Sequence, residues 1–277
     1  MTLMSKDTKI LNIAILGAGR MGQEIMRAMA GNHELNLVGV WTRTKSPMSQ
    51  KDIRILAGQE NGKVTVSDDL TSVLSDADVA IDFSLPQATH RILDAVLSSA
   101  KPLVIGVSGL EVAAINEIEI VSRKIPILYD RNMSLGIAVL DRLLRQATRI
   151  LGSDFEAEIH ETHHKRKIDA PSGTALQLGA SLAEARNQDF ESIKRYEASG
   201  LKRPLASGEI GFTVTRKGDI PGEHTIILHN ESERLELKHA VSRRQVFADG
   251  ALRAAHWLAN QPAGLYMMRD LLFSADS

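Results

Sequence analysis

The chain has 277 residues, a formal net charge of −1 and no cysteine. Its 43% hydrophobic content is enough for one large core or two modest ones. The near-neutral balance argues against a dedicated nucleic-acid or anionic-membrane binder, and the missing cysteines exclude disulfides, thiolate nucleophiles and cysteine-ligated metal centres. The first ten residues lack the apolar core of a secretory signal and no apolar run approaches a membrane span, which predicts a soluble, cytoplasmic protein.

Leu11 to Leu16 is an apolar run, followed by Gly17-Ala18-Gly19-Arg20-Met21-Gly22 and a helical pattern through Ala30. Strand, glycine turn and helix in this order fit a dinucleotide fingerprint. Gly17 permits the tight turn, Gly19 lets a pyrophosphate approach the backbone, and Gly22 lets the helix pack closely. The helix start offers unpaired N–H groups and a positive dipole end to phosphates. A second strand, Leu35 to Trp41, is apolar enough to lie inside a parallel sheet. At its end, where an NAD-selective fold places an acid, the chain reads Trp41-Thr42-Arg43-Thr44-Lys45. Arg43 and Lys45 suit a 2′-phosphate, which leans toward NADPH with NADH as the alternative, although two surface cations on a solvated loop read the same way.

Lys51 to Ser67 reads as a polar, variable segment with a short strand at Val64-Thr65-Val66. Strands follow at Val79 to Ser84, Leu103 to Gly109 and Ile125 to Tyr129, with helices over Pro86 to Ser98 and up to Ser122 between them. This alternation predicts an α/β fold with a doubly wound parallel sheet of Rossmann type and right-handed crossovers. Ligands in such sheets lie beyond the carboxyl ends of the strands. That places Ser84, Gly106-Val107-Ser108 and Asp130-Arg131-Asn132 along a cofactor crevice; as turn formers alone they carry less meaning.

Ser134 to Leu151 reads as a connecting helix, with Leu135, Val139, Leu143 and Ile150 among its apolar positions. Beyond it the periodicity changes to two. Asp154 to Ile159, Glu209 to Thr215, His224 to Asn230 and Glu233 to His239 read as half-buried strands of an open antiparallel or mixed sheet in a second domain. A helix near Gly173 to Ala185, another over about Ser242 to Leu258 and a short element around Tyr266 to Leu272 complete the chain.

The densest chemistry lies in Ile159 to Ala175. Strand alternation puts Phe155, Ala157, Ile159, Glu161 and His163 on one face, and Glu156, Glu158, His160, Thr162 and His164 on the other. The three histidines are therefore split, as they would not be on a helix, and no metal is expected. Lys165, Arg166 and Lys167 then precede Asp169-Ala170-Pro171-Ser172-Gly173-Thr174-Ala175, which opens a helix. Backbone N–H groups at Ser172 to Thr174, the Thr174 hydroxyl and a nearby lysine suit a carboxylate, and His163 or His164 suits proton exchange near neutral pH. The plainer reading is a capped helix after a solvated basic loop.

The glycine turn, the Glu161-Thr162-His163-His164-Lys165-Arg166-Lys167-Ile168-Asp169-Ala170-Pro171-Ser172-Gly173-Thr174-Ala175 block and Gly218-Asp219-Ile220-Pro221-Gly222-Glu223-His224 together resemble the dihydrodipicolinate reductase family. Ser242-Arg243, Phe247 to Ala251 and Gly264-Leu265-Tyr266 extend the likeness over nearly the whole chain. The resemblance implies NAD(P)H-dependent reduction of 4-hydroxy-tetrahydrodipicolinate, a cyclic dicarboxylate imine, to tetrahydrodipicolinate in lysine and diaminopimelate biosynthesis. It implies a dinucleotide-binding domain over 1–133 and 243–277. The inserted α+β domain over 134–242 would bind substrate and build a homotetramer through its open sheet. By the same resemblance His163 is the acid/base and Lys167 the proton donor, while His164, Gly173 and Thr174 contact substrate carboxylate. Gly17, Ala18, Gly19, Arg20, Met21, Gly22, Arg43, Gly106, Val107, Ser108, Asp130, Arg131, Asn132 and Met133 match the cofactor segments. The chain departs from the family in a glycine turn one residue shorter than G-x-x-G-R-M-G, in the charges at Asp130-Arg131, and in Thr42, where the family often has an acid. Three other readings stay open: an NADP-linked reductase of another small imino or carbonyl acid, a non-catalytic dinucleotide sensor, and a metal-dependent enzyme.

Overall fold

The computed structural model describes residues 10–42, 50–59, 62–197 and 204–273. Leu11–Leu16 (β1) and Leu35–Trp41 (β2) form where β-branched and leucine side chains run almost without interruption, and α1 (Arg20–Met29) crosses between them. The stretch expected to be variable holds a helix, α2 (Gln50–Leu56), before β3 (Thr65–Ser67). Helix α3 (Leu70–Leu74) was not foreseen; its local signal is Asp69, whose carboxylate accepts from the N–H groups of Thr71 and Ser72 as an N-cap. β4 (Val79–Asp82) follows, then a 3-10 turn at Pro86–Ala88 running into α4 (Thr89–Ser98). β5 (Leu103–Ile105), α5 (Val112–Ser122) and β6 (Pro126–Tyr129) complete the alternation. β4 and β5 end earlier than the apolar runs do, so Phe83-Ser84 and Gly106 to Gly109 are loop.

The next elements are α6 (Leu135–Leu151), β7 (Glu156–His163), α7 (Gly173–Ala185), α8 (Phe190–Ile193) and β8 (Lys194–Arg195). β9 (Ile210–Arg216), β10 (Gly222–His229) and β11 (Arg234–Val241) lead into α9 (Gln245–Leu258), β12 (Gly264–Tyr266) and α10 (Met268–Phe273). The terminal element read as one piece is thus a strand and a helix. The chain divides into two compact units, Met1–Met133 with Gln245–Ser277, and Ser134–Arg244. The return to the first unit falls two residues beyond the expected boundary. Among the described residues no helix is long and apolar enough to cross a membrane.

In the first unit seven strands lie in the order β12-β6-β5-β4-β1-β2-β3, each pair parallel. The order reverses between β1 and β4, which is the switch point where such sheets open a crevice at their carboxyl ends. Ile13, Ile15, Leu16, Ile25 and Met26 are fully buried around that point. Each contributes about 1.5–3 kcal/mol relative to exposure, so the backbone bordering the crevice rests on a rigid floor.

The second unit carries a mixed five-stranded sheet, β11-β10-β7-β9-β8. β10 pairs antiparallel with both β7 and β11, whereas β7–β9 and β9–β8 are parallel. Phe155, Ala157, Ile159, Ile210, Phe212, Ile226 and Leu228 face a core closed by α6 and α7. The helix α6 turns Ile137, Leu140 and Leu144 to that core. Val139, Leu143 and Ile150, three of the apolar positions that marked this helix in the sequence, lie instead on its exposed side. Apolar residues are abundant enough around α6 that composition alone did not select its buried stripe.

Candidate functional site

In the first unit the candidate cofactor residues gather on the carboxyl rim of the sheet. Gly17 to Gly22 follow β1, Gly106 to Ser108 follow β5, and Asp130 to Met133 follow β6. Gly17 takes a φ of +106°, and a Cβ there would lie 3.0 Å from Ser84 Cα and 3.1 Å from Phe83 O. A Cβ on Gly22 would lie 1.9 Å from Gly17 O. Both positions therefore require glycine, one for backbone angle and one for the close passage of α1 over the turn. Gly19 is the N-cap of α1 and makes no side-chain cap, so its position leaves the first N–H groups of the helix without a capping bond of its own. This cradle fits a pyrophosphate despite the shorter turn.

Neighbouring strand ends brace it. Asp82, fully buried at the end of β4, accepts from Ser84 N at 2.8 Å. Burial pushes its carboxyl up to about 6, against the lowering pull of the Ser84 hydrogen bonds. Asp130 is buried, with its two oxygens accepting from Asn132 N at 3.3 Å and Met268 N at 3.1 Å. Its charge is thus turned into the protein, tying the loop after β6 to the start of α10. Met133 is buried as well, while Arg131 is exposed. Arg43 and Lys45 lie outside the described residues.

In the second unit the strand alternation holds: Glu161 and His163 share the buried face of β7 with Ala157 and Ile159. His164 lies just past the strand, and the segment that follows folds back, with Lys167 N donating to His164 O at 3.1 Å. Lys217 N donates to His163 O and Lys165 N to Gly218 O, which fastens this turn to the loop before β10. Lys167 forms an ion pair with Asp169 at 2.8 Å and Arg166 one with Asp219 at 2.9 Å. Helix α7 opens at Gly173 with Ser172 as N-cap, its Oγ accepting from Ala175 N at 3.2 Å. Pro171 therefore precedes the cap rather than sitting in the first turn. The Ser172 N–H, expected to grip a ligand, instead donates to Glu161 Oε1 at 2.8 Å. Gly173 and Thr174 remain the first two residues of the helix, where N–H groups point out along its axis.

His164 is held below its ordinary pKa by desolvation and by the nearby Arg244, Arg166, His163 and Lys167 charges. It therefore meets a ligand at neutral pH as an imidazole. Lys165, Arg166 and Lys167 keep the region electropositive, which suits a small dianion.

Sequence reasoning missed how far the buried side of this site extends. β10 sets His224 directly opposite Glu161, and the His224 and His163 rings meet edge to face with centroids 5.1 Å apart. Ser172 Oγ lies 3.3 Å from His224 Nε2. Since Ser172 Oγ accepts from Ala175 N, its hydroxyl proton is available to that ring nitrogen. Burial, then the His163 charge, brings His224 down to about 3, so it stays neutral. Glu161, His163 and His224 bring ligand-type atoms within 4.8 Å of one another. The geometry favours an internal network over a cation site. Glu161 Oε1 is taken by Ser172 N and by Arg216 Nη2 at 3.3 Å, Oε2 faces His163 Nδ1, and Arg216 and Lys167 already place two positive charges nearby. The sequence signal for these residues was the Gly218 to His224 motif; nothing local disclosed its pairing with Glu161.

Comparison with known proteins gives a consistent result. Residues 11–133 match the family model described as dihydrodipicolinate reductase, N-terminus, and residues 136–272 match the one described as dihydrodipicolinate reductase, C-terminus. A 4-hydroxy-tetrahydrodipicolinate reductase of Pseudoalteromonas translucida is 40% identical over 94% of this chain and 97% of its own length. One from Anaeromyxobacter dehalogenans is 41% identical over 92% and 94%, respectively. Among solved structures, a dipicolinate-bound dihydrodipicolinate reductase from Paenisporosarcina sp. TG-14 aligns with a TM-score of 0.71 and 23% identity, covering 93% of this chain and 97% of that one, a likeness of fold.

Proposed function

The chain belongs to the dihydrodipicolinate reductase family, and from that premise we propose that it reduces 4-hydroxy-tetrahydrodipicolinate to tetrahydrodipicolinate with NAD(P)H. The observation that carries this reading is the juxtaposition, within one unit, of His163, His164, Lys167 and the Gly173-Thr174 helix start, a proton-handling and carboxylate-binding set. Such a step belongs to lysine and diaminopimelate biosynthesis, in the cytoplasm. NADPH is the preferred cofactor in this reading, supported by the absence of an acid at Thr42 and by the cations Arg43 and Lys45.

The glycine cradle after β1 would hold the pyrophosphate, with Gly106 to Ser108 and the backbone of Asp130 to Met133 bordering the remainder of the dinucleotide. When bound, the nicotinamide supplies the hydride. The protein's own part is to bind, orient and move one proton. The N–H groups of Gly173 and Thr174, the Thr174 hydroxyl and His164 would hold one carboxylate of the substrate. Lys167, released from Asp169 by a competing carboxylate, would stand as proton donor, with His163 exchanging protons beside it. Hydride and proton are consumed, and the 4-hydroxyl leaves as water. The unit Ser134–Arg244 is assigned substrate binding and, through the exposed side of its sheet, assembly of a homotetramer.

Steady-state rates with NADPH and NADH on freshly generated imine test the reading. Substrate-dependent oxidation, faster with NADPH, is expected. Dinucleotide binding without turnover would point to a sensor instead.

A further inference from the structure

The buried side of the site carries an arrangement that the proposed reaction does not by itself require. The Glu161 side chain is fully buried and the His163 side chain 9% exposed. The two lie two residues apart on one face of β7, so the carboxylate reaches the ring along the strand rather than across it. Oε2 of Glu161 faces His163 Nδ1. Oε1 accepts from Ser172 N at 2.8 Å and Arg216 Nη2 at 3.3 Å, so the carboxylate is fixed from the helix-α7 side and from β9 at once. Burial pushes this carboxyl up, but the His163 hydrogen bond and charge, the Ser172 N–H and Arg216 outweigh it and bring it down to about 2. Glu161 is therefore an ionised acceptor at any working pH.

An ionised acceptor on Nδ1 dictates the ring's chemistry. Nδ1 must carry hydrogen, so Nε2 is the nitrogen that gains and loses the proton. The same division of labour orders the acid, histidine and nucleophile of serine hydrolases. The surroundings of Nε2 agree with this. Gly222 lies against it, and a Cβ on that residue would sit 3.0 Å from Nε2. The motif glycine leaves room at the nitrogen that Glu161 makes reactive. His224, edge-on to the ring, is neutral and adds no competing charge. Arg216 joins the two halves of the site: the guanidinium that holds Glu161 also donates from Nε to Lys167 O at 3.3 Å and from Nη2 to Asp169 O at 2.6 Å.

We propose that Glu161 is the positioning residue of the site, holding His163 as its Nδ1–H tautomer with Nε2 as the proton-exchanging atom, and that Arg216 registers this pair with the loop bearing Lys167. The charged and titratable groups around His163 are Glu161 on β7, His224 on β10, Arg216 on β9, and His164 and Lys167 after β7. Of these only Glu161 is an anion, and it is the one that meets Nδ1. The catalytic consequence rests on the reductase reading, whereas the tautomer does not.

The test is nitrogen-15 NMR of the histidine side chains in the full-length protein without substrate, over a pH series, for wild type, Glu161→Gln and Glu161→Asp. Wild type is expected to show His163 protonated at Nδ1 in its neutral form. In Glu161→Gln, whose carboxamide can turn an N–H toward Nδ1, the neutral ring should shift measurably toward the Nε2–H tautomer. Turnover should follow, kcat dropping about 10- to 100-fold with KM changed less than threefold. Glu161→Asp, which keeps the charge, should recover part of both. A neutral His163 protonated at Nε2 in wild type, or an unmoved tautomer ratio in a folded Glu161→Gln protein, overturns the proposal whatever the turnover. If Glu161→Gln does not fold, the wild-type tautomer and Glu161→Asp decide it. Absence of turnover in wild type counts against the reductase reading alone.

Discussion

We assign both the glycine cradle of the first unit and the His163–Lys167 segment of the second to anions, but they are built from opposite materials. The cradle is backbone: what matters at Gly17 and Gly22 is the side chain that is missing, and Asp82, at the end of the neighbouring strand β4, is buried with its carboxyl pushed up to about 6. The second region is side chain and charge, with a buried Glu161 kept ionised, a buried His224 kept neutral and exposed cations outside them. A backbone cradle can serve any phosphate. A network of paired side chains assigns each proton a place. The contrast implies that substitutions in the first unit act on binding and folding, and those in the second on turnover.

Lys167→Ala should separate the two most sharply. Turnover is expected to fall about 10²- to 10⁴-fold, while NADPH affinity measured by titration stays within about twofold. Equal losses in both would erase the division of labour.

Gly22→Ala should act in the other region. A methyl 1.9 Å from Gly17 O cannot be accommodated without moving the turn. A loss of about 1–3 kcal/mol in urea unfolding is expected, with cofactor affinity weakened at least tenfold. Both tryptophans, Trp41 and Trp257, lie in the first unit, so their fluorescence reports on that unit selectively.

Acid should drive the two regions apart. His224 falls from 6.5 to about 3 on folding, so the unfolded chain binds the extra proton, and stability present above pH 6.5 is lost as pH falls toward 3. Glu161, at about 2 against 4.5, adds a loss of the same sign below pH 4.5. Asp82 is raised to about 6 from 3.8, so here the folded state holds the extra proton, and stability declines as pH rises through that window. Each group contributes up to about 1.4 kcal/mol per pH unit inside its window. His224→Asn should flatten the acid loss seen by amide exchange in β7 and β10. Asp82→Asn should relieve the cost that tryptophan fluorescence records above pH 6. The reverse assignment would contradict the pairing described for each.

Ser172→Ala is the mildest case. Loss of the α7 cap should cost about 1 kcal/mol and raise KM only a few fold, because Gly173 and Thr174 keep their N–H groups. An unchanged unfolding midpoint would show that the cap bond at Ala175 N contributes nothing.

The same contrast explains what the sequence disclosed. β1 and β2 could be bounded from their apolar runs, and α7 from Pro171 and the polar residues around it, which are purely local signals. The split of His160, His163 and His164 between strand faces followed from alternation alone. The partners of Glu161 did not, since Ser172, Arg216 and His224 lie 11, 55 and 63 residues away and are brought in by sheet register, with β10 antiparallel to β7 and β9 parallel. Ser172 illustrates the same limit. Its N–H looked like a ligand contact because the buried carboxylate that claims it lies on another element. The buried stripe of α6 was equally hidden, because Val139, Leu143 and Ile150 are as apolar as the residues that face the core.

The central claim, that this chain passes a hydride from a bound nicotinamide to the dicarboxylate imine, is tested most directly with NADPH carrying deuterium at both nicotinamide C4 positions. With freshly generated imine and the full-length enzyme, mass spectrometry should find the label in tetrahydrodipicolinate, with one product formed for each NADPH consumed. NADPH bound but unconsumed, or consumed with no label in the product, would contradict it.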